Sequence, residues 1–305
     1  MRSALLSGAA VSLSTPDAGQ SVLEEAASAA GADRLSKRLH PGSGGSALVR
    51  LGLARGDTAV MRVARTGGPA DPSQAAEALE RLAGLATVPA LFRRGETAGS
   101  SWTLESVLPG RRPRRLDAGL VAQAAQFCAA MPRAEGTPTA HRTDLETLAG
   151  SFEHLAEPLS RTADALDEAF ADFPGVLRHG DLWSGNLLVE GGTLTGVLDW
   201  DAWHPAGSPG TDLLHLVATE AGQRAGRPLG LQWLERPWLS PDFTAASAEY
   251  WRAIGLGPSR ELLRSVGTAW WAAQTAGSLR RIPELASDSR WVADNVEQVL
   301  AALDL

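Results

Sequence analysis

The sequence predicts an α+β fold with two unequal lobes, and three observations support that prediction. Short apolar runs separated by turn residues fill residues 47–64, a pattern typical of antiparallel strands. Segments rich in Ala and Leu dominate from residue 116 onward and predict helices. One hairpin-like stretch, residues 187–197, interrupts them. We therefore expect a small N-terminal lobe with an antiparallel sheet over residues 1–110 and a larger, mostly helical lobe over residues 111–305.

The composition is that of an ordinary soluble globular protein. Of the 305 residues, 44% are hydrophobic and 21% are charged, and the formal net charge is −7. An acidic chain lacks the basic footprint of nucleic-acid binding, and no apolar run approaches the roughly 20 residues of a membrane helix, so we expect neither partner. The single cysteine, Cys128, excludes an internal disulfide and fits a cytoplasmic location. The apolar core of residues 1–13 is short and broken, so we expect a loosely packed start rather than a signal peptide.

A β-hairpin is predicted around the Gly-Gly pair at residues 191–192, because both turn positions need a positive φ that glycine adopts without steric cost. With that turn, Asn186 faces Val197, and Asp199 becomes a diagonal neighbour of Asn186 on the same face. Asp181 lies just before the first strand and can approach the same end of the hairpin.

Three polar side chains at this end of the hairpin suit phosphoryl transfer. Asn186 and Asp199 can bind a hard cation through oxygen, and Mg²⁺ prefers one or two protein oxygens together with water and nucleotide phosphates. Asp181 can accept a proton, and the transferred phosphoryl group needs charge neutralisation and alignment more than covalent help. The alternative is that Asp181 and Asn186 cap a turn and that Asp199 ends a strand.

The sequence His-Gly-Asp at residues 179–181, followed after four residues by Asn186 and later by Asp-Trp at residues 199–200, resembles the aminoglycoside phosphotransferase and choline-kinase-like family. The Trp-Ser-Gly at residues 183–185 is also similar to the loop of fructosamine kinases. The resemblance implies a protein-kinase-like fold, ATP or GTP with Mg²⁺, and phosphorylation of a small-molecule hydroxyl. It makes Asp181 the catalytic residue, with Asn186 and Asp199 as metal ligands.

The resemblance also implies residues that support the catalytic loop. Asp212 matches the aspartate that holds the loop backbone in that family, although it can also be a helix-start aspartate at the positive end of the dipole. His179 belongs to the same support, and Asp201 receives no assignment. Because a magnesium site favours oxygen, we expect structural roles for the other histidines near the site and surface positions for two more: His204 and His215, then His141 and His154.

The nucleotide side of the site is assigned to the first lobe by position. A glycine-rich loop precedes two strands, where the family places the loop that covers the nucleotide, or it is a plain connector: Ser43, Gly44, Gly45 and Ser46. Arg62 stands where kinases carry the strand lysine that holds the α- and β-phosphates, or it is a surface arginine. The glutamate that pairs with that lysine would fall near Ala75, so the pair is expected to be missing, and no replacement is assigned.

Residues 102–110 resemble the hinge between lobes, where Ser106 and Val107 would bind the adenine edge through their backbone groups. The alternative is a strand that enters a loop without a ligand. Four arginines within residues 111–115 predict a solvated basic loop, or a dock for an anionic substrate group. Three tryptophans in C-terminal helices are candidates for the acceptor wall, although core packing is the favoured role: Trp251, Trp270 and Trp271.

The function predicted from the sequence is ATP-dependent phosphorylation of a hydroxyl on an aminoglycoside-like antibiotic, an amino sugar or a related metabolite. The alternative is a pseudokinase, a nucleotide-binding or scaffolding protein without turnover. Arg62 and the missing glutamate favour the pseudokinase, whereas Asp181, Asn186 and Asp199 favour the enzyme. The sequence leaves open the acceptor, the choice between ATP and GTP, and the oligomeric state.

Overall fold

The computed structural model describes residues 25, 28, 34–41, 46–52, 58–68, 70–97, 99–225 and 227–303. The chain forms two compact units, Met1–Leu108 and Pro109–Leu305. The predicted α+β class is confirmed, because the first unit holds an antiparallel sheet and the second is mostly helical. The predicted lobe roles of residues 1–110 and 111–305 stay a prediction. The loose start expected for residues 1–13 lies outside the described residues.

The first unit is built on a five-stranded antiparallel sheet in the order β1-β2-β3-β5-β4. Its strands are β1 (Arg34–Pro41), β2 (Ala47–Gly52), β3 (Thr58–Arg65), β4 (Leu91–Thr97) and β5 (Ser100–Ser106). Successive side chains of a strand point to opposite faces. One face of this sheet therefore carries an apolar cluster of Val49, Leu51, Ala59, Met61, Val63, Trp102 and Leu104. The opposite face receives the alternate residues, among them Arg62.

Helix α1 (Ser73–Arg81) belongs to the first unit. The carboxylate of Asp71 accepts the backbone N–H of Ser73 at 2.9 Å, which stabilises the start of the helix. Ala75 and Leu79 are buried on the predicted apolar face, and Glu77 is exposed. Ala75 occupies the place expected for the family glutamate, so α1 offers no carboxylate there.

The helices of the second unit are α2 (Ala118–Ala129), α3 (Ala140–Ser151), α4 (Ala156–Ala169), α5 (Thr211–Ala225), α6 (Leu229–Leu234), α7 (Pro241–Ala253), α8 (Arg260–Arg281), α9 (Ser289–Val292) and α10 (Gln298–Leu303). Trp251, Trp270 and Trp271 are each at most 2% exposed, so they pack in the core. Cys128 is also buried. Among the described residues, no helix combines the length and apolar character that crossing a membrane requires.

The surface position predicted for His141 is wrong. Its side chain is fully buried on α3, where Nε2 lies 2.7 Å from the Asp167 carboxylate and Nδ1 lies 3.3 Å from the Ser208 hydroxyl. The ring also packs against Phe170 at a centroid distance of 5.6 Å. Partners that are distant in sequence satisfy both ring nitrogens, so burial costs little despite the polar ring. His154, in contrast, is exposed.

Two short ladders lie among these helices. Strand β6 (Val176–Arg178) pairs with β9 (His204–Gly207), and β7 (Leu187–Glu190) pairs with β8 (Thr193–Val197). The predicted turn is present, since the φ angles at residues 191 and 192 are +58° and +83°. The predicted pairing of Asn186 with Val197 is wrong. A bulge shifts the register so that Leu187 faces Val197, because one extra residue is accommodated on β8.

Candidate active site

The loop that the sequence predicts to be catalytic, residues 179–186 and called the catalytic loop below, begins where β6 ends. Gly180 adopts a φ of +84°, and a Cβ at this position would lie 2.1 Å from the carbonyl oxygen of Ala202. Only glycine combines the left-handed backbone with this close approach. The side-chain amide of Gln274, on α8, donates to the Gly180 carbonyl at 2.9 Å. The loop backbone is thus fixed from two sides immediately before Asp181.

Asp212 holds the loop from the first turn of α5. Its carboxylate is buried and accepts the backbone N–H groups of His179 at 2.7 Å and Gly180 at 2.9 Å. Hydrogen bonds between backbone N–H groups and a carboxylate are charge-assisted and therefore strong. This is the contact expected of a loop-supporting aspartate.

His179 joins the loop to the end of the hairpin. Its Nδ1 accepts the N–H of Asp181 at 3.2 Å, so the proton of the neutral ring is on Nε2, which donates to the Leu198 carbonyl at 2.9 Å. The ring also packs on Trp200, with centroids 4.4 Å apart. Because Leu198 and Trp200 flank Asp199, His179 ties the position of Asp199 to that of Asp181.

Asn186 lies at the end of a 3₁₀ turn and contacts both sides of the site. Its Nδ2 donates to the Asp181 carbonyl at 2.9 Å and is 3.3 Å from Oδ2 of the same residue. Its backbone carbonyl accepts the N–H of Leu198 at 2.8 Å. With Nδ2 turned towards Asp181, Oδ1 is the atom of the amide that can bind a cation.

Asp199 follows β8 in a left-handed conformation, with a φ of +68°. A residue other than glycine in this region costs of order 1–3 kcal/mol and is concentrated at functional sites. Aspartate tolerates the conformation better than most residues. The next residue, Trp200, is buried and donates its indole N–H to the Val197 carbonyl at 3.1 Å, which anchors the turn. The donor set of one amide oxygen and one carboxylate fits Mg²⁺ with nucleotide phosphates.

Asp181 is a carboxylate in a partly buried site, with its side chain 25% exposed. Burial raises its pKa, but the contact with His215 and the positive charge of Arg281 outweigh burial and lower the pKa below its usual value. The group therefore stays ionised at neutral pH and can accept a proton. Nε2 of His215 lies 3.4 Å from Oδ1 of Asp181.

The sequence does not predict the contact between His215 and Asp181, and it assigns His215 only a structural role. One signal was available, since His215 follows Asp212 by three residues on a helix and residues at this spacing share a face. The structural role expected for His204 agrees with its geometry, because Nδ1 accepts the N–H of Ala206 at 3.1 Å.

The residues assigned to nucleotide binding belong to the first unit. Ser43, Gly44 and Gly45 lie outside the described residues, and Ser46 directly precedes β2. Arg62 lies on β3 opposite Thr103, on the sheet face that also carries the buried Glu105. The N–H of Ser106 donates to the Ala90 carbonyl at 2.9 Å, and its hydroxyl accepts the Ala90 N–H at 2.9 Å. Val107 follows β5.

The four arginines that follow are Arg111, Arg112, Arg114 and Arg115, and all are exposed. Arg111 exchanges backbone hydrogen bonds with Val189 of the hairpin, at 3.0 Å from its N–H and 2.9 Å to its carbonyl. These positions agree with a solvated basic segment whose backbone is fixed to β7.

Solved structures share this fold. An aminoglycoside phosphotransferase APH(4)-Ia, a thermostable mutant in ternary complex with ADP and hygromycin B, matches at a TM-score of 0.58 and 16% identity, over 92% of this chain and 98% of that one. Macrolide 2'-phosphotransferase MphH from Brachybacterium faecium matches at a TM-score of 0.56 and 20% identity, over 91% of this chain and 97% of that one. A macrolide 2'-phosphotransferase type I matches at a TM-score of 0.57 and 18% identity, over 93% of this chain and 97% of that one. The predicted protein-kinase-like fold is thereby confirmed.

A comparison of the sequence with protein-family models identifies the family. The model described as "APH: Phosphotransferase enzyme family" matches residues 38–238, which is well over half of the chain. No match was found among curated proteins. The similarity of residues 183–185 to fructosamine kinases stays a prediction. The expected enzyme class, a phosphotransferase that acts on small-molecule hydroxyl groups, is confirmed. The chain belongs to the phosphotransferase enzyme family.

Proposed function

We propose that this enzyme transfers the γ-phosphoryl group of ATP to a hydroxyl of a small molecule. The observation that carries the proposal is the double contact of Asn186, whose side chain holds Asp181 while its backbone holds Leu198, next to Asp199. Asn186 thus links Asp181, the proposed proton acceptor, to the backbone beside Asp199, the other proposed metal ligand. If these residues only capped a turn and ended a strand, this link would not be required.

Asp181 is the proposed catalytic residue. Its low pKa makes it a weak base, which suits a reaction in which the proton leaves the hydroxyl late. As the bond between the acceptor oxygen and the γ-phosphorus forms, the bond from that phosphorus to the bridging oxygen of ADP breaks. Asp181 orients the hydroxyl and takes its proton.

Asn186 and Asp199 are the proposed ligands of Mg²⁺. Bound there, the ion supplies neutralisation of phosphate charge. The left-handed conformation of Asp199 and the anchored indole of Trp200 fix the backbone from which the carboxylate extends. His179 and Asp212 keep both sides of the site in register through the hydrogen bonds described above.

The nucleotide assignments are part of the same proposal. Residues 43–46 cover the phosphates, and Arg62 holds them in place of the usual lysine, with a planar guanidinium that can bind two oxygens. Because the N–H and hydroxyl of Ser106 are engaged with Ala90, the adenine edge is left to the carbonyl of Ser106 and the backbone of Val107. A cytoplasmic location fits the proposed use of ATP.

The acceptor class follows from the relatives by analogy alone. The names of the structural neighbours specify aminoglycoside and macrolide phosphotransferases. An aminoglycoside-like antibiotic, a macrolide, an amino sugar or a related metabolite is therefore the proposed acceptor. Neither nucleic acid nor a membrane is part of the proposal.

Nucleotide binding is the first test. We expect calorimetry to show ATP or GTP binding that strengthens in the presence of Mg²⁺, because the two oxygen ligands need the ion to hold the phosphates. An acceptor panel of hygromycin B, kanamycin, erythromycin and glucosamine, followed by ADP release, then identifies the class. Nucleotide binding without turnover on any acceptor or on water would favour the pseudokinase, and Arg62→Lys would be the first variant to examine. No binding with or without Mg²⁺ would contradict the nucleotide site itself.

A further inference from the structure

A chain of buried side chains leads from α8 to the carboxylate of Asp181. The indole N–H of Trp270 donates to Nδ1 of His215 at 3.1 Å, and Nε2 of His215 lies 3.4 Å from Oδ1 of Asp181. Trp270 is 1% exposed and His215 is 6% exposed, so water does not compete for the hydrogen bond between them. The three residues come from α8, α5 and the catalytic loop. They are brought together only by the tertiary fold.

Trp270 sets the tautomer of His215. An indole N–H can only donate, so Nδ1 of His215 is an acceptor, and the neutral ring carries its proton on Nε2. The hydroxyl of Thr219, one helical turn further along α5, lies 3.0 Å from Nδ1 and 3.4 Å from Nε2, and it can donate to Nδ1 when the indole N–H is absent. Nε2–H therefore faces Asp181, with Nε2 3.4 Å from Oδ1. A proton on Nδ1 would place two donors against each other at Trp270.

The carboxylate of Asp181 is consequently held at both oxygens. His215 binds Oδ1, and Nδ2 of Asn186 lies 3.3 Å from Oδ2. Two partners on opposite oxygens define one orientation of the carboxylate, whereas a single partner leaves it free to rotate. Each oxygen keeps a second lone pair with which to accept the hydroxyl of an acceptor.

We propose that His215, fixed by Trp270, is a positioning residue that holds the Asp181 carboxylate in the orientation that accepts the proton of the acceptor hydroxyl. The inference rests on the proposed function, since it specifies how the proposed catalytic group is aimed. His215 does not contact the substrate. Loss of its N–H lowers the rate of transfer and leaves nucleotide affinity unchanged, because the phosphates are held by other residues.

Two amide variants distinguish the loss of the N–H donor at the Nε2 position from the loss of a polar side chain. In His215→Gln an amide N–H reaches the position of Nε2, whereas the shorter side chain of His215→Asn reaches only the position of Nδ1. With water as acceptor, we expect His215→Asn to lower kcat for MgATP hydrolysis about tenfold to a hundredfold, as for a lost hydrogen bond to a charged group. His215→Gln should restore most of that loss, and KM for MgATP should be the same in both variants.

Trp270→Phe tests the outer half of the chain, because it removes the indole N–H and keeps an aromatic ring in the core. We expect an intermediate loss in kcat, since Thr219 still supports the tautomer. His154→Gln is the matched control, as His154 is exposed and remote from these contacts, and it should leave kcat unchanged. Thermal melts check that each variant is folded. Equal kcat in wild type and His215→Asn would overturn the proposal.

Nitrogen-15 NMR of the full chain labelled at histidine tests the inference independently of turnover. We expect the signals lost in His215→Gln to be those of an Nε2–H tautomer, and Asp181→Asn to shift the Nε2 resonance. An Nδ1–H tautomer, or no response to Asp181→Asn, would overturn the inference even if the enzyme is active. If wild type neither hydrolyses ATP nor phosphorylates any acceptor of the panel, the proposed function fails, while these resonances still decide whether His215 orients Asp181.

Discussion

At the scale of single residues, a substitution at Asp181 can distinguish its proposed role as proton acceptor from any role in nucleotide binding. Asparagine has the same shape and can still accept the hydrogen bond from His215, but it cannot take a proton. We expect Asp181→Asn to lower kcat about a hundredfold to ten-thousandfold, the usual contribution of a positioned proton acceptor. The nucleotide Kd, measured by calorimetry, should stay within about twofold because the change is isosteric. A comparable weakening of nucleotide binding in a folded variant would contradict the assignment.

Asp199 combines a strained backbone with a charge, and two variants separate them. Asp199→Asn keeps a residue type that tolerates positive φ and keeps an oxygen, but it loses the charge. We expect its melting temperature to be unchanged and the Mg²⁺-dependent gain in nucleotide affinity to disappear. Asp199→Val, whose branched side chain disfavours the left-handed region, should in addition lose about 1–3 kcal/mol of unfolding free energy. An Asn variant whose response to Mg²⁺ equals that of wild type would contradict the assignment of Asp199 as the charged ligand.

At the scale of elements, the catalytic loop depends on Gly180 for more than its backbone angle. Gly180 and Gly191 have φ of +84° and +58°, yet an added Cβ meets the Ala202 carbonyl at 2.1 Å only at Gly180, and nothing within 4 Å at Gly191. Gly191→Ala should therefore cost about 1–2 kcal/mol, the penalty of the left-handed conformation alone. Gly180→Ala should cost about 1–3 kcal/mol more, because the loop must shift away from Ala202. Urea denaturation of both variants measures the difference, and equal losses would show that the close approach is unimportant.

The hairpin shows that a local sequence pattern can predict a turn but not the register of the strands that it joins. Two adjacent glycines predict the turn because it depends only on their own backbone conformations, and the structure has that turn. The bulge on β8 has no such local signal, since it depends on how the strand packs over its whole length. The predicted register is therefore wrong by one residue. Asn186 still lies beside the residue that precedes Asp199, because its carbonyl accepts the N–H of Leu198.

At the scale of the whole molecule, contacts between distant residues are what the sequence could not predict. The loop motif and the fold class follow from residue types and spacing, which record local preference and periodic burial. The burial of His141 against Asp167, and the chain from Trp270 through His215 to Asp181, join residues that lie 26 to 55 positions apart. A histidine can be a surface group, a core group or a proton donor, and its neighbours in space decide which.

The pH dependence of global stability should reflect a half-buried histidine, His204. Burial of His204, with the nearby charge of Arg178, lowers its pKa from 6.5 to about 4. The unfolded chain therefore binds a proton in a range where the folded protein does not. The contribution of His204 is complete above pH 6.5 and is lost progressively as the pH falls towards 4.

We expect the melting temperature of wild type to fall more steeply between pH 7 and pH 4.5 than that of His204→Gln, because glutamine is a polar side chain that does not titrate. His154→Gln, which removes an exposed histidine, should follow wild type over the same range. Differential scanning calorimetry of the three proteins at matched ionic strength compares the slopes directly. Parallel slopes for wild type and His204→Gln would show that acid instability originates elsewhere, and His141, whose pKa is also lowered by burial, would be the next histidine to replace.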